Sequence, residues 1–320
     1  MSLIVVTGAT GIQGGSVART LAKDQAYKVR GLTRNPTSDK AKELAALGIE
    51  VVQADLEDPK TLPKAFEGAE YIFCTTDFWA IAPKDGIEAA ERRETNQFVN
   101  VATVANELPA LKHLVLSTMP NCDKISGGKF PCPHWDAKAR GGEYVREKLP
   151  KLAAKTTEVW MGWYLDNLVN SPIMAPQPFN GAYIFPQPSK PDGIVPVAGI
   201  VSVNTGLAVQ AIFAQPQKTF GKYVPVLTDL ISWVEVTEGW SKATGKTAVY
   251  AELPDSEIAK LYGPVFGAEF ASQLRFSEQY PDWYSYKPQE TISLKELGIG
   301  DKVYDFKRGL ELIKPQITPA

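Results

Sequence analysis

A strand, a glycine-rich turn and a helix at the start of the chain constrain its fold more than any other feature. Residues 3–6 form an apolar, β-branched run, and glycines follow at Gly8, Gly11 and Gly14. The next segment, 16–23, predicts a helix, whose first N–H groups can face a diphosphate and whose dipole favours that negative charge. The G-x-x-G-x-x-G spacing in this context predicts a dinucleotide site, and the alternative is a purely structural βα turn.

Segments that predict strands and helices then alternate along the first half of the chain. Further strands are predicted at 28–33, 49–53, 71–74, 113–117 and 156–160, and helices at 38–47, 62–66, 85–106 and 134–148. Such alternation predicts an α/β fold with a doubly wound parallel Rossmann sheet. We assign the Rossmann domain to residues 1–160. Residues 161–320 predict a smaller α+β C-terminal lobe, with a hairpin-like excursion at 181–196 and part of the chain crossing back to the sheet.

Composition excludes several classes of protein. The 320 residues are 44% hydrophobic and 22% charged with a net charge of -2, which is typical of a soluble globular protein. No basic run predicts direct nucleic-acid binding. The most apolar later segment, 159–175, is interrupted by Asp166, Asn167 and Asn170, so no membrane span is predicted. The first strand leaves no room for a signal peptide, which favours a cytoplasmic protein.

The three cysteines, Cys74, Cys122 and Cys132, have no metal-ligand spacing, so no metal site is predicted. Cys122 and Cys132 lie in a predicted loop at 118–133. They are either two ordinary thiols or a redox pair, since only geometry decides whether a disulfide forms.

The end of the second strand predicts which cofactor is preferred. An acidic residue there would bind the ribose 2′-hydroxyl of NAD, but this chain has Arg34, with Lys40 and Lys42 nearby. A guanidinium can form two hydrogen bonds with a 2′-phosphate. Arg34 therefore favours NADP(H) over NAD(H), and the alternative is a solvated surface arginine.

The ends of later strands predict the other walls of the site, because open α/β sheets bind ligands at their carboxyl ends. Asp55 and Leu56 follow the third strand, where we expect adenine. The residues that leave the fourth strand are expected beside the nicotinamide; they are Thr75, Thr76 and the aromatic pair Phe78 and Trp79. The two aromatic residues can equally be packed loop residues.

Four side chains are candidates for catalysis. His134 and Lys138 have the i, i+4 spacing that puts them on one helix face, provided that the helix already includes His134. If Asp136 caps the helix instead, this pairing fails. Ser117 or Thr118 could orient a carbonyl oxygen, and Tyr164 is a second proton donor. The alternative for His134 is a capping or packing role.

The chain resembles the NmrA-like family of atypical short-chain dehydrogenase/reductases, and within it the NADP(H) redox-sensor type known from a human protein. The residues that carry the resemblance are Gly8-x-x-Gly11-x-x-Gly14, Thr33-Arg34-Asn35-Pro36, Phe78-Trp79, His134-x-Asp136-x-Lys138 and Tyr164-Leu165-Asp166-Asn167-Leu168. The resemblance implies NADP(H) held by the glycine turn and Arg34, with Lys138 near the nicotinamide ribose. The expected cofactor contacts are Gly8, Thr10, Gly11, Ile12, Gln13, Gly14, Arg34, Asp55, Leu56, Thr75, Thr76, Phe78, Lys138, Tyr164 and Asn167.

Two functions follow from this reading. The first is an NADPH-dependent reductase of a small organic carbonyl or enone, in which His134 stands where related enzymes carry the tyrosine of Tyr-x-x-x-Lys. The second is a non-catalytic NADP(H) sensor that binds a regulatory protein partner according to cofactor state. In either case we expect a monomer or homodimer. Many aromatic residues after residue 230 favour a substrate pocket or an ordinary core; they are Trp233, Trp240, Tyr250, Tyr262, Phe266, Phe270, Phe276, Tyr280, Trp283, Tyr284 and Tyr286.

Overall fold

The computed structural model describes residues 1–171 and 174–317, which contain one large parallel sheet and two small sheets. The strands are β1 (Ser2–Val6), β2 (Tyr27–Thr33), β3 (Glu50–Gln53), β4 (Tyr71–Cys74), β5 (His113–Thr118), β6 (Thr156–Met161), β7 (Trp163–Tyr164), β8 (Gln177–Phe179), β9 (Ala182–Gln187), β10 (Ile194–Gly199), β11 (Tyr223–Val226), β12 (Asp229–Ser232) and β13 (Ala248–Glu252).

Helices cover both faces of the large sheet and build most of the C-terminal part. They are α1 (Ile12–Leu21), α2 (Asp39–Ala46), α3 (Leu62–Ala65), α4 (Ala82–Asp85), α5 (Ile87–Asn106), α6 (Cys122–Ser126), α7 (Pro133–Lys148), α8 (Pro150–Ala153), α9 (Asn167–Asn170), α10 (Val201–Ala214), α11 (Pro216–Thr219), α12 (Trp233–Thr244), α13 (Asp255–Tyr262), α14 (Phe266–Gln279) and α15 (Phe306–Ile317). Short 3₁₀ turns cover Phe78–Ala80, Trp283–Ser285 and Pro288–Glu290.

The large sheet has the order β11-β6-β5-β4-β1-β2-β3, and every pair in it is parallel. The chain winds outward from β1 in both directions, so the strand order reverses between β1 and β4. Such a switch point opens a crevice at the carboxyl ends of the two strands. The predicted doubly wound Rossmann sheet is confirmed, and β11 adds an edge strand from the C-terminal half of the chain.

Successive side chains of each strand point to opposite faces of the sheet, and they pack into two apolar cores, one on each face. In β1, Ile4 and Val6 pack with Val17 of α1 and with α10, whereas Val5 packs with Phe98 of α5 on the opposite face. A strand buried on both faces reads as a continuous apolar run, which is why the segment 3–6 has no polar residue.

The structure corrects three sequence-based predictions, two helix boundaries and one strand pairing. Helix α1 begins at Ile12 rather than at residue 16, so the turn passes directly into the helix. The helix predicted at 85–106 is split, because Gly86 has φ of +86° and separates α4 from α5. No hairpin spans 181–196: β9 pairs with β8 across the Asn180–Gly181 turn, while β10 pairs with β7 and β12.

The C-terminal part has its own apolar core beside the carboxyl end of the large sheet. It contains the sheets β12-β10-β7 and β13-β9-β8, and its core residues include Phe185, Trp240, Phe270 and Leu310. Helix α10 leaves this part and packs on α1, where Gly206 donates its N–H to the Ser16 hydroxyl. Within residues 1–171 and 174–317, no helix is both long and apolar enough to cross a bilayer.

Candidate functional site

One cavity of about 940 Å³ runs along the carboxyl ends of the large sheet and under the C-terminal part. Its size is in the range of small-molecule and cofactor sites. All the sequence-predicted site residues line it: Gly8, Thr10, Gly11, Ile12, Gln13, Gly14, Arg34, Asp55, Leu56, Thr75, Thr76, Phe78, Ser117, His134, Lys138, Tyr164 and Asn167. Residues up to 159 positions apart in the chain are thus gathered around one space.

The glycine turn leaves backbone donors open to this cavity. A Cβ at Gly14 would lie 2.3 Å from the carbonyl oxygen of Gly8, so only glycine permits this contact between α1 and the turn. Among the described residues, no side chain caps α1, and its first turn has no acidic residue. The hydroxyl of Thr7 donates to the Thr75 carbonyl and accepts from the Thr75 N–H, both at 2.8 Å, which fixes the ends of β1 and β4. The N-terminus of α1 therefore suits an anion.

Arg34 lies where β2 ends, at the rim of the cavity. Its side chain is exposed, and its guanidinium makes no hydrogen bond or ion pair with any residue that the structure describes. Lys40 also lines the cavity, whereas Lys42 pairs with Asp39 at 3.4 Å and does not. Arg34 is therefore available for an anionic group that lies beyond β2.

The neighbouring rim is formed by the loop that follows β3. Asp55 accepts a hydrogen bond from the Glu57 N–H at 3.0 Å, and the Leu56 carbonyl accepts one from the Asn100 amide at 2.8 Å. These bonds hold the loop in one conformation at the place expected for adenine.

Lys138 belongs to a buried charged group. Its ammonium pairs with the carboxylate of Glu94, which is fully buried, and donates to the Thr76 hydroxyl at 3.3 Å. Thr76 in turn donates to Glu94 at 2.6 Å. The charge of Lys138 is thus balanced within the protein, and the ammonium is held at one point of the cavity wall.

The structure decides between the two alternatives for the start of α7. The helix begins at Pro133, so it includes His134 and puts His134 and Lys138 on one face. Asp136 is not the cap: it is buried, and its carboxylate accepts from the N–H groups of Cys132 at 3.0 Å and Asp123 at 3.2 Å. His134 and Lys138 both face the cavity, but each has its own carboxylate. The partner of His134 Nδ1 is Glu269 on α14.

Gln13 connects two further candidates across the cavity floor. Ser117 donates to its amide oxygen, and its amide nitrogen donates to the Tyr164 hydroxyl, both at 2.6 Å. Burial raises the pKa of Tyr164 to about 12, so this phenol stays neutral and is a weak acid. Thr118, the alternative to Ser117, donates to the buried carboxylate of Glu158 at 2.6 Å and is already occupied.

Aromatic side chains form the far wall of the cavity. The rings of Trp79 and Phe266 lie 4.9 Å apart, and Trp79 also lies 5.5 Å from the His134 ring. Phe78 is buried against Trp79. Of the C-terminal aromatic residues, Trp233, Phe266 and Trp283 line the cavity, whereas Trp240, Phe270 and Phe276 belong to the cores. Some of these aromatic residues therefore form a pocket wall and others belong to the apolar cores, as the two sequence-based interpretations predicted.

The sequence analysis predicts Gln13 as a cofactor contact but misses its side-chain bridge, and it misses Glu94 and Glu269 altogether. Glu94 carried a usable signal, because it lies between Ala90 and Phe98 on the buried face of α5, where a carboxylate needs a partner. Gln13 belongs to the glycine turn, but its side-chain bridge has no sequence signal. Glu269 lies 135 positions from His134, and nothing in the pattern of α14 distinguishes it.

The three cysteines are buried and free. The Cys122 thiol donates to the Pro120 carbonyl at 3.9 Å and the Cys132 thiol to the Phe130 carbonyl at 3.5 Å, and burial raises the pKa of both thiols. They therefore remain protonated in the folded protein. Among the described residues, no group of three or more His, Cys, Asp or Glu side chains could hold a metal ion.

The fold and the cavity define a Rossmann-type α/β protein with its site at the switch point of the sheet. The model of the NmrA-like family matches residues 1–304, and the chain belongs to this family. An NmrA-like family domain-containing protein of Dictyostelium discoideum is 30% identical over 91% of this chain and 92% of its own. The NmrA-like family domain-containing oxidoreductase cpsB of Aspergillus campestris is 30% identical over 94% and 93%.

Among solved structures, the chain is similar to NmrA, described as a negative transcriptional regulator. The NmrA structures in complex with NAD and with NADP have TM-scores of 0.78 and 0.76, at 22% identity, and cover 98% of this chain and 95% of NmrA. This likeness supports the fold over nearly the whole chain.

Proposed function

We propose that this protein binds NADP(H) and reduces a small organic carbonyl or enone. The observation that carries the proposal is the single cavity that joins the glycine turn to His134, Lys138 and Tyr164. A dinucleotide fits the features along it: an uncapped helix start for the diphosphate, and the free guanidinium of Arg34 for a 2′-phosphate. NmrA, which shares the fold, binds NAD and NADP, and cpsB is described as an oxidoreductase.

Bound NADPH would supply a hydride to the substrate carbon, and the chain must supply the rest. Lys138, held by Glu94 and Thr76, would bind the hydroxyls of the nicotinamide ribose. The cavity wall of Trp79 and Phe266 would hold a planar, conjugated substrate by stacking on its faces. His134 lies beside this wall, and imidazole exchanges protons near neutral pH. His134 is therefore the side chain we assign to protonate the substrate oxygen.

The second candidate is an NADP(H) sensor that binds a partner protein according to cofactor state. It is supported by the histidine at position 134, where related reductases carry a tyrosine, and by the similarity to NmrA, a transcriptional regulator. Turnover separates the two candidates.

The experiment is a fluorescence titration with NADPH, followed in the same cuvette by a panel of ketones, enones, imines and quinones. Oxidation of NADPH by one class of carbonyl compound would establish the reductase. Tight binding without turnover across the panel would favour the sensor. Failure to bind NADPH or NADH would overturn both.

A further inference from the structure

A carboxylate from the C-terminal part reaches the cavity side of the sheet at one point. Glu269 lies on α14 and is buried, with its side chain 4% exposed, and it contacts the first turn of α7. Its Oε1 accepts the backbone N–H of His134 at 3.3 Å and lies against Nδ1 of the same residue. One carboxylate oxygen therefore fixes both the main chain and the ring of His134.

This contact determines which nitrogen of His134 carries the proton. An ionised carboxylate only accepts hydrogen bonds, so Nδ1 must be the N–H that faces it. Nε2 has no hydrogen-bond partner among the described residues, and the ring lines the cavity between Trp79 and Phe78. Glu269 does not line the cavity. Only Nε2 is therefore presented to a molecule bound there.

We propose that Glu269 is a positioning residue, which holds His134 in the Nδ1–H form so that Nε2 can exchange a proton with the substrate oxygen. The proposal rests on the reductase function above. In the reduction, hydride from the nicotinamide forms the new C–H bond, and the oxygen takes the proton from Nε2 of the imidazolium ring. The electron pair of the broken N–H bond stays on Nε2. Nδ1 keeps its proton, which remains hydrogen-bonded to Glu269. In the reverse direction, Nε2 of the neutral ring accepts the proton.

The second carboxylate oxygen of Glu269 supports a role beyond anchoring the helix. Oε2 is buried and has no partner among the described residues. A purely structural anchor would need one acceptor, which an amide supplies as well as a carboxylate. A carboxylate in this position costs desolvation that a neutral side chain avoids, and its specific gain is the defined orientation of His134.

The test uses Glu269→Gln, which keeps an oxygen acceptor and the side-chain shape but removes the charge. The matched control is Asp136→Asn, because Asp136 also anchors the start of α7 but contacts main-chain N–H groups rather than the imidazole. The direct readout is the ¹⁵N chemical shifts of labelled histidine, which report the protonated ring nitrogen. The chain has only two histidines, and His113→Gln assigns the signals.

We expect wild-type His134 to be protonated at Nδ1 when neutral, and to shift towards the Nε2–H form in Glu269→Gln but not in Asp136→Asn. With an active carbonyl substrate, Glu269→Gln should lose at least tenfold in kcat and less than twofold in NADPH affinity. A wild-type ring protonated at Nε2, or an unchanged kcat in Glu269→Gln, would overturn the proposal. If the wild type binds NADPH but turns nothing over, the reductase function fails, while the ¹⁵N shifts still decide whether Glu269 sets the tautomer.

Discussion

At the scale of single residues, the site separates charges that the protein has already paired from those it leaves for a ligand. Lys138 is balanced by Glu94, and His134 is held by Glu269, so both are positioned before anything binds. Arg34 has no such partner among the described residues. Removal of a side chain that has no protein partner should weaken ligand binding without disturbing other interactions in the protein.

The first prediction concerns Arg34. Arg34→Ala should weaken NADPH binding by roughly 10- to 100-fold, because a charge-assisted hydrogen bond contributes about 1.5–3 kcal/mol. NADH binding should change by less than about threefold, since NADH has no 2′-phosphate. Lys42→Ala is the matched control, because Lys42 is a nearby cation that pairs with Asp39 and does not line the cavity. Titrations that show equal losses for the two cofactors would rule out the 2′-phosphate role.

The second prediction concerns Lys138. Lys138→Ala should weaken NADPH binding and abolish turnover, and it should also destabilise the fold by about 3–5 kcal/mol, because it leaves Glu94 buried and charged. Lys138→Ala with Glu94→Gln should recover most of the stability and none of the turnover. Urea unfolding and NADPH oxidation, measured on the same preparations, separate the two effects. Full activity in Lys138→Ala would show that Lys138 has no role in cofactor binding or turnover.

At the scale of the elements, the contact of α1 with the turn after β1 decides whether the helix start faces the cavity. The helix passes so close to the turn that a Cβ at Gly14 would lie 2.5 Å from the Thr7 carbonyl oxygen. At the neighbouring Gly15, the atom closest to an added Cβ is the end of the flexible Arg19 side chain, at 2.6 Å, and the nearest backbone atom, the Ala9 carbonyl oxygen, is 3.1 Å away.

We therefore predict different outcomes for alanine substitutions at the two adjacent glycines. Gly14→Ala should destabilise the protein by about 1–3 kcal/mol, because backbone atoms must shift, and it should weaken NADPH binding at least tenfold. Gly15→Ala should stay within about 1 kcal/mol of the wild type, because Arg19 can move and alanine favours the helix. Thermal unfolding with and without NADPH is the measurement. Similar behaviour of the two variants would contradict the close packing at Gly14.

At the scale of the whole molecule, a buried histidine outside the site links folding to pH. His113 on β5 donates from Nε2 to the Thr157 hydroxyl at 2.8 Å, since that hydroxyl itself donates to the Thr219 carbonyl. Its Nδ1 is buried without a partner among the described residues. Burial therefore lowers the pKa of His113 to about 3.

This histidine should destabilise the fold in mild acid. Because the pKa of His113 is lowered on folding, the unfolded chain binds a proton below pH 6.5 that the folded chain does not, and the stability falls with pH down to about pH 3. Between pH 7.5 and pH 5, we expect wild type to lose about 2 kcal/mol more than His113→Gln. Chemical denaturation of both proteins at pH 7.5 and pH 5 measures this difference in the free energy of unfolding. Equal losses in the two proteins would mean that His113 is protonated in the folded state.

The sequence by itself determined the parallel sheet, the glycine turn and many of the residues that line the cavity. These features depend on local patterns: a buried strand needs an apolar run, a helix start needs donors facing outward, and strand ends of a parallel sheet meet at one edge. The helix boundaries at residues 12 and 87 were missed because neighbouring packing and a single backbone angle decided them.

Only the tertiary structure decided the partners of the charged groups. Glu94, Glu269 and the Gln13 bridge lie 44, 135 and up to 151 positions from the side chains they hold. Such pairs leave no periodic pattern in the sequence, because they form only when helices from different parts of the chain pack against one sheet. The sequence thus determined many of the residues that line the cavity, and the packing decided which nitrogen of His134 faces it.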